Sequence, residues 1–298
     1  MESPLVSFIV VSYNHSEFIT ECLDSIKNQT YKNWELIIAD DASTDNSMEV
    51  AKKWLKENNI LAKTNFHSEN KGFATTLNEC ITLTEGKYLS IIAADDYFHP
   101  DFLSKCVHSL ESKNDNFGMV FSSSFILTEE KKLINYHQNF DFYENENHFR
   151  TILKKMNYIP ALSTLVKRSV LLETGPYDKN ILIEDYDRWL RINENYFIDF
   201  IPKNLAYHRK HEGNISKIKE RIVFVEEILL RLKYDTSLEN KSKINNDIRK
   251  IYLTSTEKEE IKKVSKKYSQ YKGREPWLNC CLKYGLPIKL YHLKYKFF

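Results

Sequence analysis

KYLSIIAADDYFHP, residues 87–100, is the stretch on which the reading of the fold turns. Tyr88 to Ala94 form an unbroken run of apolar or small residues, bounded by Gly86 before it and by Asp95 and Asp96 after it. Such a run suits a strand buried on both faces of a parallel sheet, and in open α/β sheets ligands sit beyond the carboxyl ends of the strands. Two carboxylates delivered to that edge repel each other, and burying them is costly unless something positive neutralises them. A hard divalent cation, Mn²⁺ or Mg²⁺, does so with oxygen ligands and substrate phosphates. An exposed acidic turn ahead of a helix starting at Pro100 accounts for the same residues, and both readings stay open on this stretch alone.

Working outward, the same pattern recurs. Leu5 to Ser12 predicts a first strand ending on Tyr13 and Asn14, with Asn14 and Glu17 spaced as a helix N-cap and its reciprocal partner. Trp34 to Ala39 predicts a second strand, again followed by two acids, Asp40 and Asp41, with Ser43 or Thr44 as cap of the next helix. Leu61 to His67 supplies a third strand, and Phe73 to Thr84 a helix stopped by Gly86. After the 88–94 strand and a helix from Pro100, Phe117 to Phe125 reads as another strand. Four strand-helix units within residues 1–113 predict an α/β fold, a doubly wound, mostly parallel, Rossmann-like sheet. Neither GxGxxG nor GxxxxGK[ST] occurs, which disfavours dinucleotide oxidoreductases and P-loop enzymes.

Composition narrows the class. The chain has 298 residues with only 7 Gly and 7 Pro, so it is neither a linker-rich array nor low-complexity. No stretch approaches the ~20 apolar residues of a membrane span and no basic leader precedes the first apolar run, so the expected location is cytoplasmic. Five cysteines without a CxxC pair read as small core residues, Cys22, Cys80 and Cys106 at helical spacing among apolar neighbours. Residues 217–298 hold 20 Lys and Arg against 10 Asp and Glu, whereas the remainder holds 23 against 31. The body lacks a basic stripe or a nucleic-acid-binding motif, so no nucleic-acid partner is expected, and an anionic membrane surface suits the basic tail better.

Six pieces in order, VSFIVVSYNHSEFI, QTYKNWELIIADDASTD, ENKGFATTLNECI, GKYLSIIAADDYFHPDFL, ILIEDYDRWLRI and YHRKHEGNIS, resemble the inverting family 2 glycosyltransferases of GT-A fold over roughly residues 4–216. The resemblance implies a metal-dependent transfer of a hexose from a UDP-sugar donor to a lipid-linked or oligosaccharide acceptor in surface polysaccharide assembly. It implies a donor site at Val11, Tyr13 (stacking on the base), Asp41 (accepting the uracil N3 hydrogen), Lys71 and Asp95, and a metal site of Asp95, Asp96 and His211. Asp185 matches the family's catalytic base, with Glu184 and Trp189 on the acceptor side. Ala93 departs from the family's Asp-x-Asp-Asp by lacking the first acid, and Leu77 stands where many relatives have Arg, a charge that Lys71 is expected to replace.

Beside this, the acids at 184–187 suit a helix N-terminus, with Glu184–Arg188 and Asp187–Arg191 as i,i+4 pairs. His208 reads equally as a plain surface histidine. The expected division is a GT-A domain at 1–216, with a nucleotide half 1–113 and an acceptor half 114–216, followed by a basic helical extension at 217–298. The final segment interleaves Trp277, Tyr284, Tyr291, Tyr295 and Phe297 with Lys283, Lys289, Lys294 and Lys296, which suits peripheral attachment to the inner membrane face, a helix packed on the body, or a dimer contact. Two other functions fit the nucleotide and metal logic: a non-catalytic nucleotide-sugar-binding or scaffold protein, supported by Ala93, and a nucleotidyltransferase, which would ordinarily carry a glycine- and lysine-rich first loop.

Overall fold

The computed structural model describes residues 3–255, 257–288 and 291. Val6–Ser12 (β1), Trp34–Asp40 (β2), Ala62–Phe66 (β3) and Tyr88–Ala93 (β4) pair in parallel in the order β3-β2-β1-β4, alternating along the chain with helices Ile19–Lys27 (α1), Ser47–Asn58 (α2) and Phe73–Thr82 (α3). All seven residues of β1 are buried, as befits a strand covered on both faces. The register is unbroken: Val11 lies opposite both Ala39 and Ala93, and Ser12 opposite Asp40. The carboxyl ends of β1, β2 and β4 therefore finish level, and the residues that follow each strand share one edge of the sheet.

The second half brings antiparallel pairs into the sheet. Tyr97–Phe98 (β5), Phe102–Glu111 (α4), Phe117–Leu127 (β6), Leu133–Asn135 (β7), Glu146–Leu153 (α5), Thr164–Lys167 (β8), Arg168–Glu173 (α6), Glu184–Asn195 (α7) and Phe197–Arg209 (β9) follow in sequence. Among the described residues the sheet has nine strands in the order β3-β2-β1-β4-β8-β6-β9-β5, with β7 on β6. β5 pairs with β9, Tyr97 opposite Tyr207, and this pairing carries residues 208–214 to Asp95 and Asp96. Phe8, Ile38, Ile92, Phe102, Val120 and Leu165 belong to the core.

Several predicted stops and caps are built differently. The Asn14–Glu17 cap is not formed: α1 begins at Ile19 behind Phe18, with no side-chain cap. Nor do Ser43 or Thr44 cap α2, where Asp45 accepts the Ser47 backbone N–H (2.9 Å) instead. Gly86 does not end α3, which closes at Thr82. Its missing side chain serves close packing, since a Cβ there would meet Ser7 Oγ at 2.6 Å and Ser7 N at 2.7 Å. The three core cysteines are buried and unbridged, and burial pushes their thiols up, Cys80 to about 12.

By internal packing the chain divides into one unit of residues up to Arg150 with Tyr158–Asn214, and another of Thr151–Asn157 with the residues from Ile215 onward. The second unit contains Ile215–Ile218 (α8), Glu220–Tyr234 (α9), Lys241–Thr254 (α10), Lys258–Tyr268 (α11) and Pro276–Tyr284 (α12). Its core joins Ile228, Ile248, Val264, Leu278, Cys281 and Tyr291. Arg249 pairs with Glu275 (2.8 Å), and Tyr271 donates to Asp235 (2.5 Å). The aromatic-lysine segment thus packs inside its own unit as far as Leu286 and at Tyr291, while Lys283, Tyr284 and Ile288 stay exposed. Lys289, Lys294, Tyr295, Lys296 and Phe297 lie outside the described residues. No described helix is long and apolar enough to cross a membrane.

Candidate active site

The level ends of β1 and β2 let their loops brace each other. Asn14 has φ 59°, a left-handed conformation that costs most residues ~1–2 kcal/mol and that Asn tolerates. Its side-chain oxygen accepts from Thr44 N (2.7 Å), and its backbone N–H donates to Ser43 Oγ (2.8 Å). Asp45 accepts from the Ser16 N–H (3.0 Å). Burial opposes its charge, but the bonds from Ser47 and Ser16 outweigh it and hold the Asp45 carboxyl at about 2. Tyr13, on this braced turn, is 42% exposed, the presentation a base-stacking ring requires. Val11 is 3% exposed, and its carbonyl accepts from Ala94 N (2.9 Å).

Asp41 follows β2 and is buried, with three donors on its carboxylate. Oδ1 accepts from Lys71 N (2.9 Å) and faces His67 Nδ1 (2.8 Å), and Oδ2 accepts from Gly72 N (2.9 Å). Gly72 has φ 87°, which suits glycine and lets the loop present consecutive N–H groups to one acid. Oδ2 keeps acceptor capacity for a further donor. The Lys71 ammonium, expected to replace the Arg missing at Leu77, is exposed and pairs with Glu79 (3.2 Å).

Beyond β4 the two acids diverge. Asp95 Oδ2 lies 3.0 Å from His211 Nε2, 3.8 Å from His15 Nε2 and 3.3 Å from Asn214 Nδ2, while Asp95 Oδ1 is buried with no hydrogen-bond partner. Asp96 turns to β9, accepting from Arg209 N (2.8 Å), with His208 Nδ1 3.4 Å away. Burial works against ionisation of both. For Asp95 the hydrogen bond from His211 and the field of His15 more than offset it, so its carboxyl sits below the ordinary range; for Asp96, burial and the Asp95 charge push it up. Donor atoms of His15, Asp95 and His211 all lie within 4.8 Å of one another. An orphaned buried carboxylate oxygen among imidazoles fits a divalent ion, and this set leaves Asp96 out. The expectation of a plain surface His208 is corrected, since it is half-buried against Asp96.

The third acidic cluster opens α7. Asp185 is half-buried and its Oδ1 accepts the Tyr186 N–H (2.7 Å), and Glu184 is half-buried beside it. Asp187 is buried and makes the expected i,i+4 pair with Arg191 (2.9 Å). The expected Glu184–Arg188 pair gives way to another arrangement: Arg188 is fully buried, donates to Thr174 Oγ1 (2.9 Å) and to the Leu171 and Gly175 carbonyls, and stacks on Tyr177 at 4.2 Å. Trp189 is 3% exposed, because the face it shares with Tyr186 and Leu190 is turned into the core. It therefore offers no ring face to an acceptor sugar, contrary to its expected role.

Four contributors were not singled out from the sequence. His15 sits in a loop with no ligand spacing, and Asn214 and Arg209 reach the Asp95–Asp96 pair only through the β5–β9 pairing. Asn78 clasps Tyr177 with both amide atoms, Nδ2 to the carbonyl (2.9 Å) and Oδ1 from the N–H (2.8 Å), linking α3 to the segment leading into α7. The triplet of His, Asp and Glu around His67 is spread over 39 residues of sequence, so spacing carries no signal for it.

Comparison with known proteins gives the family. The model of "Glycosyl transferase family 2" matches residues 7–174. The Escherichia coli UDP-Glc:alpha-D-GlcNAc-diphosphoundecaprenol beta-1,3-glucosyltransferase WfaP is 31% identical over 230 residues, 73% of this chain and 83% of that protein. Among solved structures, Staphylococcus aureus TarS 1–349 in complex with UDP-GlcNAc superposes with a TM-score of 0.69 at 16% identity, covering 94% of this chain and 86% of that one. The mannosyltransferase PcManGT from Pyrobaculum calidifontis, in complex with GDP-Man and Mn²⁺, gives 0.58 at 19% identity, covering 95% and 74%. These neighbours share the GT-A fold with the sheet described above. The chain belongs to glycosyl transferase family 2, a family of inverting glycosyltransferases.

Proposed function

We propose that the protein transfers a hexose from a UDP-sugar to a hydroxyl of a lipid-linked or oligosaccharide acceptor in surface polysaccharide assembly. The observation that carries this reading is the buried Asp95 carboxylate, with one oxygen unpartnered and two histidines beside it, on the sheet edge that also holds Tyr13 and Asp41. UDP-Glc and UDP-GlcNAc in the names of WfaP and TarS support a uridine donor, and the diphosphoundecaprenol in the former supports a lipid-linked acceptor.

In this reading Tyr13 stacks on the base and Asp41 Oδ2 accepts the uracil N3 hydrogen. Asp95 and His211 hold a divalent ion, with His15 as neighbour; imidazole donors favour Mn²⁺ over Mg²⁺. When bound, the ion offsets the charge that builds on the departing diphosphate. Asp185 takes the proton of the acceptor hydroxyl as its oxygen attacks the anomeric carbon, the bond to UDP breaks, and the configuration inverts. Asp96, fixed to the Arg209 N–H, keeps β9 and the histidine loop beside Asp95.

The test is a screen of UDP- and GDP-sugars for release of the nucleoside diphosphate, with and without Mn²⁺, first alone and then with lipid-diphosphate sugar acceptors. Release that needs both the ion and an acceptor is expected with at least one donor, and release from GDP- but not UDP-sugars would overturn the base assignment. Peripheral attachment to an anionic membrane completes the proposal. Because α12 belongs to the core of its unit, deletion of residues 273–298 would remove packing, so the full chain is the reagent. It should sediment with anionic vesicles at low salt and be released at high salt, each interfacial Lys contributing ~1 kcal/mol. Recovery in the supernatant at both salts would reject attachment.

A further inference from the structure

The His67 side chain is 3% exposed and lies between two carboxylates, Nδ1 at 2.8 Å from Asp41 Oδ1 and Nε2 at 2.6 Å from Glu79 Oε2. Ionised carboxylate oxygens only accept, so both ring nitrogens must carry hydrogen to make both bonds, and an imidazole with two N–H groups is the cation. A neutral ring would set a lone pair against one of the acids in a place with little water to intervene. The groups around it agree. Asn65 Nδ2 from β3 donates to Glu79 Oε2 (2.8 Å), and Lys71 Nζ reaches Glu79 Oε1 (3.2 Å). These partners and His67 hold the Glu79 carboxyl at about 2. Burial and Lys71 oppose charge on the ring, but Asp41 and Glu79 outweigh them and its pKa is raised.

We infer that His67 is a positioning residue for donor binding: as an imidazolium it ties the end of β2 to α3, occupies Asp41 Oδ1, and so holds the Lys71–Gly72 loop while leaving Oδ2 for the nucleobase. The inference rests on the reading of Asp41 as the base-contacting residue. The arrangement is complete below the ordinary imidazole range near ~6.5 and is lost as pH rises through the raised value. Donor affinity then falls on the alkaline side.

The experiment measures UDP affinity by calorimetry in the presence of Mn²⁺ from about pH 6 to about pH 8.5, and follows the His67 ring by NMR over the same window. The full-length parent should lose roughly tenfold in affinity in step with the ring's titration. His67→Gln, which is neutral and can keep one of the two bonds, should bind at the parent's alkaline level with that step missing; any pH effect common to both proteins arises elsewhere. A parent whose affinity is flat while the ring titrates, or a His67→Gln protein that binds as tightly as the parent at about pH 6, overturns the positioning role. Should His67→Gln fail to fold, the parent's paired profiles decide alone. Asp41→Asn separates the two levels: parental UDP affinity in that variant removes the base assignment itself, whereas weakened binding there beside a flat parent profile removes only His67.

Discussion

Asp185→Asn should bind UDP-sugar and Mn²⁺ with near-parental affinity and turn over about 10²-fold or more slowly. Displacement at the anomeric carbon requires the acceptor oxygen to lose its proton as it attacks, and a placed carboxylate typically contributes 10²–10⁴-fold, roughly 3–5 kcal/mol of barrier. The amide keeps the volume and the oxygen that accepts the Tyr186 N–H, so α7 retains its start. Asp187→Asn serves as the contrast, since that acid is buried against Arg191 and its loss is felt in stability. Glu184→Gln is expected to have the smaller kinetic effect. Steady-state rates with donor affinities measured separately decide the matter: an active Asp185→Asn beside a dead Asp187→Asn would place the base elsewhere on the helix.

Asp95→Asn should abolish the Mn²⁺-dependent part of UDP binding, a loss of about a hundredfold or more, while Asp96→Asn should lose much less. The asymmetry follows from what each acid touches. Asp95 has a free buried oxygen and two histidines, whereas Asp96 Oδ1 is bonded to the Arg209 backbone, which an amide oxygen can still accept. On the sequence alone both acids are expected in one metal site, since there they differ only by one position. Calorimetry of UDP with and without Mn²⁺ provides the check, and unchanged Mn²⁺ dependence in Asp95→Asn would end the metal assignment there.

In the parallel half β1, β2 and β4 were legible because each is an apolar run closed by functional residues, and the expected ends at Ser12, Ala39 and Ala94 fall within one residue of the observed Ser12, Asp40 and Ala93. Less legible was anything decided by pairing at long range. Nothing local in YHRKHEGN says that residues 208 and 211 face different acids; that follows from Tyr97 lying opposite Tyr207. Trp189 was misread because helical spacing tells which residues share a face and not whether that face meets solvent. The caps failed for a related reason: Asn14, Ser43 and Thr44 are capping residues by type, but here they bond to each other across two loops.

The strand order also has a bearing on how the protein is made. β4 finds its outer neighbour in β8, at residues 164–167, and, His15 apart, the partners of Asp95 and Asp96 come from residues 208–214. A nascent chain that has emerged only through the first four strands therefore exposes an unpaired apolar edge, the kind of surface that chaperones shield and other strands capture. Of the histidines that flank Asp95 and Asp96 it holds only His15. Donor chemistry is thus withheld until nearly the whole first unit has left the ribosome, and a shortened product ending near residue 113 would be a substrate for quality control rather than a minimal enzyme.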